Sequence, residues 1–94
     1  MQKIPKQKLE EIPKLYETDG NSNKKAYLHF YNFKGQGDWY VCEVQQTEDD
    51  ILFFGYVKLL YNEWGYFSLK ELQSVPSIIY DTGFKPTTME EIIE

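Results

Sequence analysis

Three aromatic, glycine-punctuated stretches decide how this chain folds: Gly37-Asp-Trp-Tyr-Val-Cys-Glu-Val44, Leu52-Phe-Phe-Gly-Tyr-Val57 and Glu63-Trp-Gly-Tyr-Phe-Ser-Leu-Lys-Glu-Leu72. The first two have the β-branched and aromatic content of strands. The third reads as a short strand running into a helix. Ser68 supplies an N-cap, and Glu71 three residues later completes a capping box. The run from Ile51 to Leu60 is apolar on both faces until Lys58, which predicts a strand buried between neighbours. Gly55 interrupts that run. Glycine inside a strand marks a bulge or the close approach of another group.

Working outward, Ala26 to Phe33 is predicted as a strand with Leu28 and Phe30 on one face and Tyr27, His29, Tyr31 and Phe33 on the other. Lys34-Gly-Gln-Gly-Asp38 is a hairpin turn into the next strand, Trp39 to Gln46. Strict alternation there puts Trp39, Val41 and Glu43 on one face and Tyr40, Cys42 and Val44 on the other. Thr47-Glu-Asp-Asp50 and Tyr61-Asn-Glu-Trp64 are turns, leaving Gly65 to Phe67 as a short strand. A helix from Leu69 to Ser74 stops before Pro76. Ser77 to Asp81 is a last short strand. Thr87 with Glu90 forms a second capping box, opening a helical turn from Thr88 to Ile93. At the other end, Lys8 to Ile12 is a short helix closed by Pro13, with Ile12, Leu15 and Tyr16 pinning it to the body. The whole is one α+β domain over residues 1–94, an antiparallel meander of four or five strands with short helices packed on it.

The 94 residues carry 15 acids against 10 basic residues, a net charge of −5. Every basic residue is Lys. Residues 1–25 are net +2 and residues 26–94 net −7. An acidic body without Arg lacks the side chain best suited to phosphate and guanine edges. Direct nucleic-acid binding is therefore not expected, and attraction to basic surfaces is. No apolar run approaches the ~20 residues of a membrane span, and no signal-peptide segment leads the chain. With one Cys there is no internal disulfide. A cytoplasmic protein with no membrane association is expected.

One Cys and one His cannot assemble a structural zinc site, and no cofactor is implied. His29 reads as a packed or edge-exposed histidine and Cys42, mid-strand, as an inert thiol. The glycine-rich turn lacks the spacing of a phosphate loop. Glu48-Asp49-Asp50 is too short for a calcium loop. Glu43, Glu63 and Glu71 could pair as acid and base only if the fold gathers them. No catalytic set is legible. Candidate partner-binding residues are the acids Glu48, Asp49, Asp50 and Glu63 and the aromatics Trp39 and Trp64.

Ile12-Pro-Lys-Leu-Tyr16, Trp39-Tyr-Val-Cys-Glu43, Phe54-Gly-Tyr-Val57, Gly65-Tyr-Phe-Ser-Leu-Lys-Glu-Leu72 and, more weakly, Asp81-Thr-Gly-Phe-Lys-Pro86 resemble, in order, a family of small uncharacterised domains. That family is carried by bacterial plasmids, conjugative transposons and phages. Trp64 stands where the family has Leu, and Tyr80 where it commonly has a basic residue. The chain is also similar to a type II-A anti-CRISPR inhibitor. The resemblance implies a non-catalytic interaction protein that binds a basic host protein, such as an RNA-guided CRISPR nuclease, and blocks its engagement with nucleic acid. It implies two alternatives as well: a metal-dependent single-stranded DNA endonuclease, or a plasmid-maintenance accessory protein.

Overall fold

A computed structural model describes residues 1–94. Five antiparallel strands form the main sheet in the order β5-β4-β3-β2-β6. These are β2 (Leu28–Asn32), β3 (Asp38–Gln46), β4 (Ile51–Lys58), β5 (Asn62–Ser68) and β6 (Ile78–Tyr80). Strands β2 to β5 are joined as successive hairpins. β6 lies at the opposite edge from β5 and runs in the same direction, so the chain has to cross the sheet between them. Helix α2 (Leu69–Gln73) makes that crossing and buries Leu72 against the sheet. A second, two-stranded sheet pairs β1 (Lys25–Ala26) with β7 (Thr87–Thr88). Helices α1 (Lys6–Glu11) and α3 (Met89–Ile93) complete the fold.

Gly55 sits in β4 directly opposite Val41, where β3 carries a bulge: Val41 pairs with Gly55 and Glu43 with Phe54, leaving Cys42 without a partner. A Cβ placed on Gly55 would lie 1.7 Å from the Tyr40 carbonyl oxygen. Both readings of a strand glycine, bulge and close approach, therefore hold at this one position. The extra residue also inverts the alternation expected for β3. Trp39, Val41 and, beyond the bulge, Val44 face the main core. Glu43 turns to the other face with Tyr40 and Cys42. The expected grouping of Glu43 with Trp39 and of Val44 with Tyr40 is thus wrong, because the bulge adds one residue to a period of two.

The main core lies on one side of the sheet, where Phe30, Phe53, Val41 and Val44 meet Ile4, Leu9 and Ile12 from the N-terminal segment and Leu72 from α2. On the other side a smaller cluster of Ala26, Cys42, Tyr56 and Met89 sits under α3, with Tyr40, Phe84 and Ile92 packed around it. β4 is interior, as expected, although β3 occupies the middle of the five.

Other boundaries moved for local reasons. The strand expected over Ala26–Phe33 is broken at Tyr27, and its first part joins β7 instead. β2 therefore stops pairing at Leu28, opposite Val41. Pro13 and Lys14 fill the vacated flank of β3, with the Val44 N–H donating to the Pro13 carbonyl at 2.9 Å. The turn expected at Tyr61–Trp64 is tighter, and Asn62, Glu63 and Trp64 belong to β5. Ser68 caps α2 as expected, accepting from the Glu71 N–H at 3.1 Å. The C-terminal cap is Thr88, not Thr87: the Thr88 hydroxyl accepts from the Glu91 N–H, and both threonines pair in the small sheet, Thr87 with Ala26 and Thr88 with Lys25.

Replacing Gly55 by Ala forces its methyl group into a backbone carbonyl that β3 cannot withdraw without losing its ladder. The expected loss is about 3 kcal/mol or more of unfolding free energy, read from urea denaturation. Wild-type stability in the variant would mean that the bulge yields freely.

Candidate functional site

The face of the sheet opposite the main core carries three groups of side chains. The first surrounds His29 on β2. Its Nε2 lies 2.7 Å from an Asp38 carboxylate oxygen and its Nδ1 2.9 Å from one of Asp81. The ring stacks on Tyr40 at 4.6 Å between centroids. With a proton on both nitrogens the ring donates to both carboxylates; with one proton it serves only one. The cluster ties β2 to the first residue of β3 and to the turn after β6. A general base needs a nitrogen free for its substrate, and both are taken by the protein's own carboxylates. Of the two readings the sequence left for His29, packed or edge-exposed, the packed one holds, with two partners that were not anticipated. The pairing of Tyr31 with Asp38 in the β2–β3 register brings one of them close. The other, Asp81, lies 52 residues away in sequence and leaves no local signal.

The second group is built on Glu43, which the bulge delivers to this face. Only 2% of the residue is exposed. Its carboxylate accepts from the Tyr16 N–H at 2.9 Å, from the Thr18 N–H at 3.0 Å and from the Thr18 hydroxyl. The Lys24 ammonium donates to the Thr18 carbonyl at 2.7 Å and to its hydroxyl at 2.8 Å. Burial pushes the Glu43 carboxyl up, but the hydrogen bonds from Thr18 and Tyr16 and the nearby Lys24 outweigh it and hold it below the ordinary carboxylate value. Tyr16 takes a left-handed backbone conformation, φ 73°, to present its N–H. The segment is thus pinned through the Tyr16 backbone, while the Tyr16 ring, expected to be packed, stays exposed. Glu43 is a structural acceptor. Glu63 and Glu71 are exposed on β5 and α2, so no acid–base pair forms among the three.

The third group is aromatic. Trp64 and Tyr66 on β5 flank Phe54 on β4. The Phe54 and Trp64 rings stack at 5.9 Å, and Tyr66 meets Phe54 at 5.0 Å. Trp64 also meets Tyr56 edge-on at 5.2 Å. Despite these contacts Trp64 is 40% and Tyr66 53% exposed. A shallow recess of about 540 Å³ opens beside Trp64, lined also by Glu90, Ile93 and Glu94.

The residues expected to bind a partner divide among these surroundings. Trp39 is buried in the main core, and its ring lies where a side chain on Gly37 would stand. Asp50 accepts from the backbone N–H groups of Ile51 and Lys70 and so helps seat the start of α2. Glu48 and Asp49 are exposed on the β3–β4 turn. Glu63 and Trp64 sit opposite Val57 and Tyr56, some five to six residues and about 17–20 Å along the sheet from that turn. The six do not form one site. Only Glu63 and Trp64 adjoin each other, on β5. Apart from Asp38 and Asp81, none of the chain's acids forms an ion pair.

No three of the His, Cys, Asp and Glu side chains are arranged to hold a metal ion. No helix is long and apolar enough to cross a membrane.

The model of a family described as a protein of unknown function, DUF2958, matches residues 4–88. The chain belongs to that family. The match names no catalytic activity. No curated protein and no solved structure matches.

Two measurements check this chemistry. Burial pushes the Cys42 thiol up to about 12, against a smaller opposing pull from Lys24. An aromatic disulfide reagent at pH 8 is expected to label Cys42 only when denaturant opens the fold; rapid labelling of the native chain would contradict its burial. Because the Glu43 carboxyl is depressed in the folded state, the stability it contributes is complete above its ordinary value of 4.5 and is lost as pH falls through the lower folded value. Glu43→Gln is therefore expected to be less stable at pH 7 by about 1–3 kcal/mol and to lose less stability on acidification. Parallel wild-type and variant curves of stability against pH would refute this role.

Proposed function

We propose that this chain is a non-catalytic, cytoplasmic interaction protein of a mobile element, acting as an anti-CRISPR-type inhibitor. It binds a basic host protein, such as an RNA-guided nuclease, and blocks its engagement with nucleic acid. The observation that carries this reading is the exposed aromatic strip of Trp64 and Tyr66, backed by Phe54 and bordered by the unpaired acids Glu90 and Glu94, with unpaired Glu63 on the other face of the same strand. Rigid aromatic side chains held in place by neighbours are the usual anchors of protein interfaces. Surrounding carboxylates steer the approach of a positively charged partner. The nucleic-acid channel of an RNA-guided nuclease is such a partner. An acidic face seated there competes with the phosphate backbone for the same Lys and Arg side chains.

This reading moves the binding face from the Glu48–Asp50 turn to the β5 side of the sheet. It leaves Trp39 and Asp50 as structural residues. The endonuclease alternative lacks an arranged donor set, and the plasmid-maintenance alternative has no residue in its favour.

The test is inhibition of target cleavage by a purified, guide-loaded type II-A nuclease. Wild-type protein is expected to inhibit, and more weakly as salt rises. Trp64→Ala with Tyr66→Ala is expected to raise the inhibitory concentration at least about tenfold, equivalent to about 1.4 kcal/mol. Glu48→Ser with Asp49→Ser should change it little. Absence of inhibition at saturating protein, or magnesium-dependent cleavage of DNA by the protein alone, would overturn the proposal.

A further inference from the structure

We infer that β5 is a strand-acceptor edge, which takes an extended, lysine- or arginine-bearing segment of a partner protein as a sixth strand of the main sheet. The inference rests on the protein-binding reading above and adds the way in which the partner is held.

An edge strand presents unpaired backbone N–H and C=O groups, and soluble proteins ordinarily blunt such edges with lysines, prolines, bulges or shortness. The other edge of this sheet, β6, has only three residues. β5 has seven and pairs with β4 residue for residue from Asn62 to Ser68 without a bulge. It contains neither Lys nor Pro. No hydrogen bond from outside the sheet reaches the backbone of Asn62–Tyr66. Gly65, the middle residue of Asn62–Ser68, has no atom within 4 Å of where a Cβ would be, so the sheet face there is uncovered. The edge is long, regular and open.

Charge selects the occupant. A cationic side chain reaching across the edge toward the recess beside Trp64 would meet an indole, which attracts cations, and the carboxylates of Glu90 and Glu94. On the other face of the strand Glu63 is exposed and unpaired. Alternate side chains of an added strand point to opposite faces, so cations on either face meet an acid. A second copy of this chain is disfavoured by the same charges. It would set −5 against −5 and gather Glu63, Glu90 and Glu94 of both molecules along one seam. Main-chain hydrogen bonds would supply affinity, and the recess would supply the preference for cations.

The test uses the isotopically labelled chain and a ten-residue peptide of alternating Lys and Val. At saturating peptide, alternate amides of Asn62–Tyr66 are expected to exchange at least about tenfold more slowly. The same peptide N-methylated at alternate residues, which keeps its side chains but loses main-chain donors, should not slow them. A Glu–Val peptide should also fail. Equal binding by the N-methylated peptide, or no slowing of β5 amides at millimolar Lys–Val peptide, would overturn the inference. So would slowing that appears without peptide and rises with protein concentration alongside a dimer in sedimentation, which would identify a second copy as the occupant. Inhibition of the nuclease with β5 amides unchanged in the complex would leave the proposed function standing and remove the strand-acceptor edge. Slowing by the peptide without any inhibition of the nuclease would do the reverse.

Discussion

The fold depends on the contact between Gly55 and the backbone of β3 at Tyr40 and Val41. β4 can pass this close only because residue 55 has no side chain. The close passage accompanies the bulge that leaves Cys42 unpaired. From that single extra residue follow the two assignments on which the sheet depends. Val44 joins Phe53 and Val41 in the main core, giving the N-terminal helix an apolar surface to cover. Glu43 emerges on the opposite face, where it would otherwise have been forced into a hydrocarbon interior at a cost of several kcal/mol.

Once on that face, Glu43 organises the chain around it. Its carboxylate collects donors from Tyr16 and Thr18, and Lys24 closes the set through Thr18. Residues 16–24 are thereby fixed against the sheet, and the chain enters β1 at Lys25. β1 then pairs with β7, bringing Met89 of α3 over Cys42 and Tyr56. The same face is thus covered at its centre by the C-terminal segment and tied at the β2–β6 end by His29. What remains open is the β5 side. The exposure of Trp64 and Tyr66 is a consequence of where the covering segments run out.

Much of the sheet was legible because its determinants are local. The apolar run of Ile51–Val57, the Lys34–Asp38 turn and the Ser68 cap each declare themselves within a few residues. Gly55 even signalled a bulge or a close approach. Its effect on β3 was not legible, because a bulge in one strand is specified partly by the residue opposite it in another, and alternation in Trp39–Val44 reads smoothly without it. The pairing of Thr87 and Thr88 with Ala26 and Lys25, some sixty residues earlier in sequence, likewise leaves no local signal, and the cap lies one residue beyond the expected Thr87. Candidate site residues fared unevenly. Charge and aromaticity are visible in sequence, but burial is not. Both Trp39 and Trp64 sit in strands of the sheet, and what separates the core indole from the exposed one is the face each takes and the position of β5 at the edge.

The chain's reactive groups are spent on its own architecture. The imidazole of His29 is enclosed by two carboxylates, the Glu43 carboxylate by three donors, and the Cys42 thiol by apolar neighbours that keep it protonated. A small domain has few polar groups to spare, and these hold together segments that a modest core would not. What the fold leaves unsatisfied lies elsewhere. Two such features coincide at β5: an unpaired row of backbone hydrogen-bonding groups and a strip of aromatic rings among unpaired acids. Each alone is common on protein surfaces. Together on one strand they are the observations on which the proposal of a cationic, extended chain lying along β5 rests.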